Sequence, residues 1–188
     1  KEHIQNGDIY ETNFCYSWIA KNQLTNSYRL FEKLDQLTEA PFSVYADLEN
    51  HIVLCASPER FIKKIGGKLI SQPIKGTAKK AHQTDLDNKI IQQLESDPKE
   101  RAENIMIVDL VRNDLSKVAT KNSVSVDELC KVYSFKNIHQ MISTVSCSTN
   151  DDITFSEIIK ALFPMGSMTG VPKIKAMDLM EEYETSKR

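Results

Sequence analysis

Two turn signals constrain this chain more than any other feature of it. Gly66-Gly67 lies between Arg60 to Ile65 and Lys68 to Ile74, and Glu49-Asn50 lies between Phe42 to Asp47 and His51 to Ala56. The flanks read as strands, and a Gly-Gly pair supplies the backbone freedom that a two-residue hairpin turn requires. Two consecutive hairpins predict antiparallel sheet.

Helical spacing is equally distinct elsewhere. From Ser27 the apolar positions Leu30, Phe31, Leu34 and Leu37 fall on one face, with Pro41 beyond the end, and Leu86, Ile90, Ile91 and Leu94 form a second, shorter pattern. Lys99 to about Asp114 carries Ala102, Ile105, Met106, Val108 and Leu110, broad enough for a well-buried helix. Thr154 with Glu157 matches a capping box opening a helix to Leu162, and Pro172 leads into a last helix from Lys173, with Ala176, Met177, Met180 and Tyr183 on its apolar side. Ile9 to Ile19, Ser123 to Val126, Lys131 to Phe135 and Ile138 to Cys147 read as further strands, whereas Gly76 to Thr84 reads as a mobile polar stretch. In the last strand, alternation places His139, Met141, Ser143 and Val145 on one face. Strands and helices mix without regular β-α-β alternation. The expected class is therefore α+β, with sandwich-like antiparallel sheets, peripheral helices and a single domain over residues 1–188.

Composition narrows the partners. Twenty-four Lys plus Arg against 26 Asp plus Glu give a net charge of -2. With no basic block to neutralise phosphates, nucleic acid is not expected as a partner. No apolar run approaches the roughly 18 residues that a membrane span needs. Cys15, Cys55, Cys130 and Cys147 lack C-x-x-C spacing and disulfide-scaffold density, which fits free thiols in a reducing, cytoplasmic setting.

Several residues could carry chemistry, each with a plainer role beside it. Lys75, in Pro73-Ile74-Lys75-Gly76-Thr77, ends a hairpin strand; an amine there could attack carbon, or be a solvated turn lysine. Glu59, in Ser57-Pro58-Glu59-Arg60-Phe61, ends the other hairpin and could give acid or base assistance, or form a surface ion pair with Arg60. Glu103 lies on the predicted buried helix and could anchor Mg²⁺ or pair with a lysine, Arg101 or Arg112. His139 could face a cleft or be a satisfied core residue. The loop from Gly166 to Lys173 could offer N–H groups to an anion, with Lys173 and Lys175 close by, or simply cap a helix.

The order and wording of five motifs are more specific than any one residue. SPERF, PIKGT, AENIMIVDLVRNDL, IHQMISTV and PMGSMTGVPKIKAM together resemble the chorismate-utilising enzyme family over nearly the whole chain. Lysine at the third position of PIKGT resembles the aminodeoxychorismate synthase branch, whereas anthranilate synthases have PIAGT. The resemblance implies that Lys75 adds to ring carbon C2 of chorismate while the C4 hydroxyl leaves with help from Glu59, and that ammonia then attacks C4 and expels the lysine. It implies further that Glu103 is one Mg²⁺ ligand and that His139 is the active-site histidine. Gly76, Thr77, Ser167, Thr169, Gly170 and Lys173 would meet the substrate. A separate glutamine amidotransferase subunit would supply ammonia. Against the family pattern the chain reads as incomplete at both ends, so that little turnover is expected from it alone. Anthranilate synthase component I and a non-catalytic binding module of the same fold are the alternatives.

Overall fold

The computed structural model describes residues 1–21 and 26–185. In chain order the elements are α1 (Glu2–Gln5), β1 (Glu11–Thr12), α2 (Ser27–Thr38), β2 (Phe42–Leu48), β3 (His51–Ser57), β4 (Arg60–Ile65), β5 (Lys68–Gln72), β6 (Ile74–Lys79), α3 (Thr84–Ser96), α4 (Pro98–Ser116), β7 (Ser125–Ser134), β8 (Ile138–Ser148), α5 (Phe155–Leu162), α6 (Gly166–Thr169), β9 (Gly170–Val171) and α7 (Lys173–Tyr183). They fall into two compact units, Ser17–Arg60 and Lys1–Tyr16 with Phe61–Arg188.

The smaller unit is a helix and a hairpin. Asn26 caps α2 by accepting from the Arg29 N–H at 2.9 Å, and the helix stops where Glu39 turns left-handed at φ 46°. β2 and β3 pair antiparallel from Phe42↔Ser57 to Leu48↔His51 around the expected turn, with Glu49 at φ 42°. Tyr28 packs edge-on against Tyr45 and Phe31 tilted against the same ring, and none of the unit's described residues is buried.

The larger unit is organised around β8. β7 pairs along one side of it, from Ser125↔Ser146 to Ser134↔His139, while β5 and then β6 share the other side. β4 flanks β5. Pro73 separates β5 from β6, and its carbonyl accepts from the Ser143 N–H at 3.2 Å, so the ladder is bridged where proline has no N–H to give. β8 is buried on both faces: His139, Met141, Ser143 and Val145 are buried, and so are Gln140, Ile142, Thr144 and Ser146 between them. α4 covers the face of Ser143 and Val145, with Ile107, Val108, Val111 and Leu115 joining Leu69, Val145, Cys147, Ile158 and Leu162 in the main core. Each such side chain removed from water contributes about 1.5–3 kcal/mol. α4 starts where Asp97 accepts from the Lys99 and Glu100 N–H groups at 2.9 and 3.0 Å, with Pro98 in the first turn. The Thr154–Glu157 capping box opens α5 as expected.

The α+β class with antiparallel sheet is borne out; several boundaries are not. Of the strand expected over Ile9 to Ile19 only Glu11–Thr12 forms, paired with β9. The stretch expected to be mobile from Gly76 is instead β6 as far as Lys79, because β8 offers it a ladder that low strand propensity does not reveal. Ser125–Ser134 is one strand with irregular register, not two, and Cys130 takes φ 53° within it. The small-residue loop contains a helical turn, Gly166–Thr169. On α7 the buried side is Lys173, Ala176, Leu179 and Met180, while Met177 and Tyr183 are exposed.

Candidate active site

Lys75 is presented by a break in the ladder. The register of β6 against β8 shifts between Ile74 and Thr77, and Gly76 takes φ 96° inside that shift. A Cβ at Gly76 would sit 3.2 Å from both the Met141 Cβ and a Glu100 carboxylate oxygen, so the position needs glycine for conformation and for space. The backbone is fixed from below by Asn104 of α4, which has no exposed surface. Its amide donates to the carbonyls of Lys75 at 3.3 Å and Met141 at 3.2 Å, and its Oδ1 accepts from the Ser143 hydroxyl and, at 3.7 Å, from the Cys130 thiol. One side chain therefore ties α4 to β6, β7 and β8 at the candidate nucleophile, with every polar atom used.

The Lys75 ammonium donates to Oε1 of Glu11, and the two side chains are 16% and 20% exposed. Oε2 of the same carboxylate is buried and has no hydrogen-bond partner. Glu11 is held there by the Gly166–Val171 segment. Tyr10 N–H donates to Val171 O at 2.7 Å, Asn13 N–H to Thr169 O at 3.0 Å, and the Asn13 amide to Ser167 O at 2.9 Å. Gly170 lies opposite Thr12 with φ 151°, and a Cβ there would overlap the Glu11 carbonyl oxygen and lie 2.9 Å from Thr12 Cα. This glycine allows the close approach that carries Glu11 to Lys75.

The remaining candidates distribute as follows. Ser167 is buried, its hydroxyl has no partner, and it borders a small cavity with Ser71, Pro73 and Asp114. The Thr169 hydroxyl is turned inward, donating to Gly166 O at 3.1 Å. Thr77 is exposed on β6. Lys173 is buried, and its ammonium donates to Asp114 Oδ2 and to Leu162 O, both at 2.7 Å. It acts as an internal clamp between α4 and the start of α7. His139 is fully buried, with Nδ1 at 2.8 Å from the Ser134 hydroxyl and Nε2 at 2.9 Å from Asp87 Oδ1. Both ring nitrogens are engaged, as the core reading of this residue foresees. The His139 hydrogen bond, followed by the Ala81 N–H, holds the Asp87 carboxyl below the usual carboxylate range.

Glu103 is one turn from Lys99, whose ammonium lies 3.4 Å from Glu103 Oε1 and 3.8 Å from Glu100 Oε1. Glu103 is the main cause that raises Lys99 above the ordinary lysine value. No cluster of three His, Cys, Asp or Glu groups suited to a metal exists among the described residues. Glu59 belongs to the smaller unit, where its backbone exchanges 3.3 Å contacts with the Ser57 hydroxyl.

The motifs in the sequence do not single out Asn104 or Glu11. Asn104 had a signal, since it shares the spacing of Ile107, Val108 and Val111, and an amide on a buried helical face must find partners. Glu11 had none, because its meeting with Lys75 depends on a pairing 160 residues along the chain, Glu11↔Val171.

Residues 1–188 match, without a gap at either end, the family described as chorismate binding enzyme. The chain belongs to this family. Among curated relatives, aminodeoxychorismate synthase component 1 of Salmonella typhimurium is 37% identical over 98% of this chain and 40% of its own length. The protein of the same name from Escherichia coli is 37% identical over 100% and 41%. The chain thus spans about two-fifths of the length of these relatives. Anthranilate synthase component I from Streptococcus pneumoniae superposes with a TM-score of 0.78 at 29% identity, over 88% of this chain and 36% of that one. MenF, the menaquinone-specific isochorismate synthase of Escherichia coli, shares the fold, with a TM-score of 0.63 at 19% identity over 72% of this chain and 31% of its own.

Proposed function

We propose that this chain is part of an aminodeoxychorismate synthase, which aminates chorismate at C4 with ammonia on the route to p-aminobenzoate and folate. The observation that carries the reading is Lys75 itself. It stands on a glycine bulge with its carbonyl pinned by Asn104, in a chain 37% identical to two proteins named for this activity. Its Nζ would bond to C2 of the ring as the C4 hydroxyl departs with a proton from a general acid, the role that the resemblance of the SPERF motif gives to Glu59, and ammonia would then attack C4 and return the electron pair to the lysine. Dividing one displacement into two covalent steps is what a good nucleophile that is also a leaving group contributes.

Glu103 can supply one hard carboxylate oxygen to Mg²⁺, which commonly uses one or two protein carboxylates and completes its shell with water and substrate. When bound, the ion would polarise a substrate carboxylate. The partially exposed carboxylate of Glu103, opposed only at 3.4 Å by the 76% exposed Lys99, fits that use. A glutamine amidotransferase subunit as ammonia source agrees with the "component 1" in the relatives' names. Four unpaired cysteines agree with a reducing, cytoplasmic setting.

The test is Lys75→Ala in the full-length protein, given chorismate, ammonia and Mg²⁺. Loss of most turnover is expected, on the order of a hundredfold or more. A product that is anthranilate, detected by its fluorescence, would favour the anthranilate synthase reading, and unchanged function in Lys75→Ala would favour a binding module.

A further inference from the structure

We infer that Glu11 is the proton acceptor for Lys75. This rests on the reading of Lys75 as nucleophile and adds the group that makes the amine available. An ammonium has no lone pair, so Lys75 must shed a proton before it can bond to carbon. The acceptor in contact with Nζ is Oε1 of Glu11, in a pair only 16% and 20% exposed, so the transfer needs no water. Oε2 is buried without a partner, so Nζ is the donor on which this carboxylate is oriented. Gly170 makes the contact possible, since any larger residue would push away the Glu11 carbonyl.

The step balances. One proton moves from Nζ to the Glu11 carboxylate, and the freed pair forms the C–N bond as the C4–O bond breaks and water leaves with the proton of a general acid. When ammonia bonds to C4, the C–N bond to lysine breaks and its electrons return to Nζ. Nζ then recovers its proton from Glu11, and the new C4 ammonium reprotonates the general acid.

Two readouts test this on Glu11→Gln and Glu11→Asp. In the full-length protein, Glu11→Gln should lower kcat about a hundredfold, in the range general bases contribute, with KM changed less than about threefold. Glu11→Asp should keep part of the rate. In parallel, the deficit of Glu11→Gln relative to wild type should shrink about tenfold between pH 7 and pH 9, where hydroxide takes the proton that the missing carboxylate no longer accepts. Recovery at high pH is the mark of a lost acceptor; a mere tether would leave the variant slow by the same factor at every pH. Turnover in Glu11→Gln equal to or above wild type, or a deficit that does not narrow as pH rises, overturns the proposal. Wild-type protein that forms no aminodeoxychorismate overturns the functional reading and the acceptor role with it, leaving only the ion pair.

Discussion

The two compact units solve the problem of holding a side chain in place by opposite means. Around β8 and α4, positions are fixed by burial: His139, Asn104, Ser143 and Met141 are at or near zero exposure, and each polar one is paired. In Ser17–Arg60 no described residue is buried, and hydrogen-bonded turns, an αL cap and two angled ring contacts on Tyr45 hold the side chains. The contrast teaches that Lys75 is set by packing whereas Glu59 is set by a local turn. Substitutions should therefore reach the first through the core and the second hardly at all.

The largest effect that would break this contrast is expected at Lys173→Met. Removing the ammonium leaves Asp114 buried with only Lys117 at 2.6 Å, and loss of one partner from a buried pair costs roughly 3–5 kcal/mol. Urea denaturation of the chain should show it as a lowered midpoint, and a change under about 1 kcal/mol would mean that the clamp contributes little. Next comes Ile107→Ala, at about 2–4 kcal/mol from lost burial and the cavity left, set against Leu48→Ala in the smaller unit, where the side chain is 58% exposed and about 0.5 kcal/mol is expected. Equal costs for the two would erase the distinction between the units. Smaller again is Asp97→Ala, which removes the N-cap of α4 and should cost about 1 kcal/mol by the same denaturation measurement.

What sequence could show follows the same division. The capping box of α5 and the existence of α4 and β8 were legible from local signals, but the buried faces were not: β8 is buried on both sides, and of the apolar positions read on α4, Ala102 and Ile105 are exposed whereas Ile107, Val111 and Leu115 are buried. β6 was not legible, because Gly76, Thr77, Ala78 and Lys79 have little strand character of their own, and the ladder comes from β8. Ile9 to Ile19 failed in the other direction. Its aromatic and β-branched residues have the right chemistry, but Phe14, Tyr16, Trp18 and Ile19 are 70–89% exposed and lie outside any strand. At the site, Lys75 and Gly76 were readable from a motif, and Asn104 could have been read from helical spacing. Glu11 could not, since only the fold brings β1 against β9.

The smallest effect concerns His139 and sharpens the comparison from the acid side. Asp87 is depressed chiefly by the His139 hydrogen bond, so the folded protein keeps it ionised at pH values where the unfolded chain has already protonated it. The resulting stabilisation is complete above the ordinary carboxylate value near pH 4 and is lost as pH falls through the lower folded-state value. His139→Gln removes the leading cause, and the variant should therefore lose less stability than wild type between pH 5 and pH 2, whatever its stability at pH 7. Thermal melts across that range test it. Parallel losses in the two proteins would mean that the depression comes from the Ala81 N–H, 2.8 Å away, and that the buried histidine holds α3 by packing and not by charge.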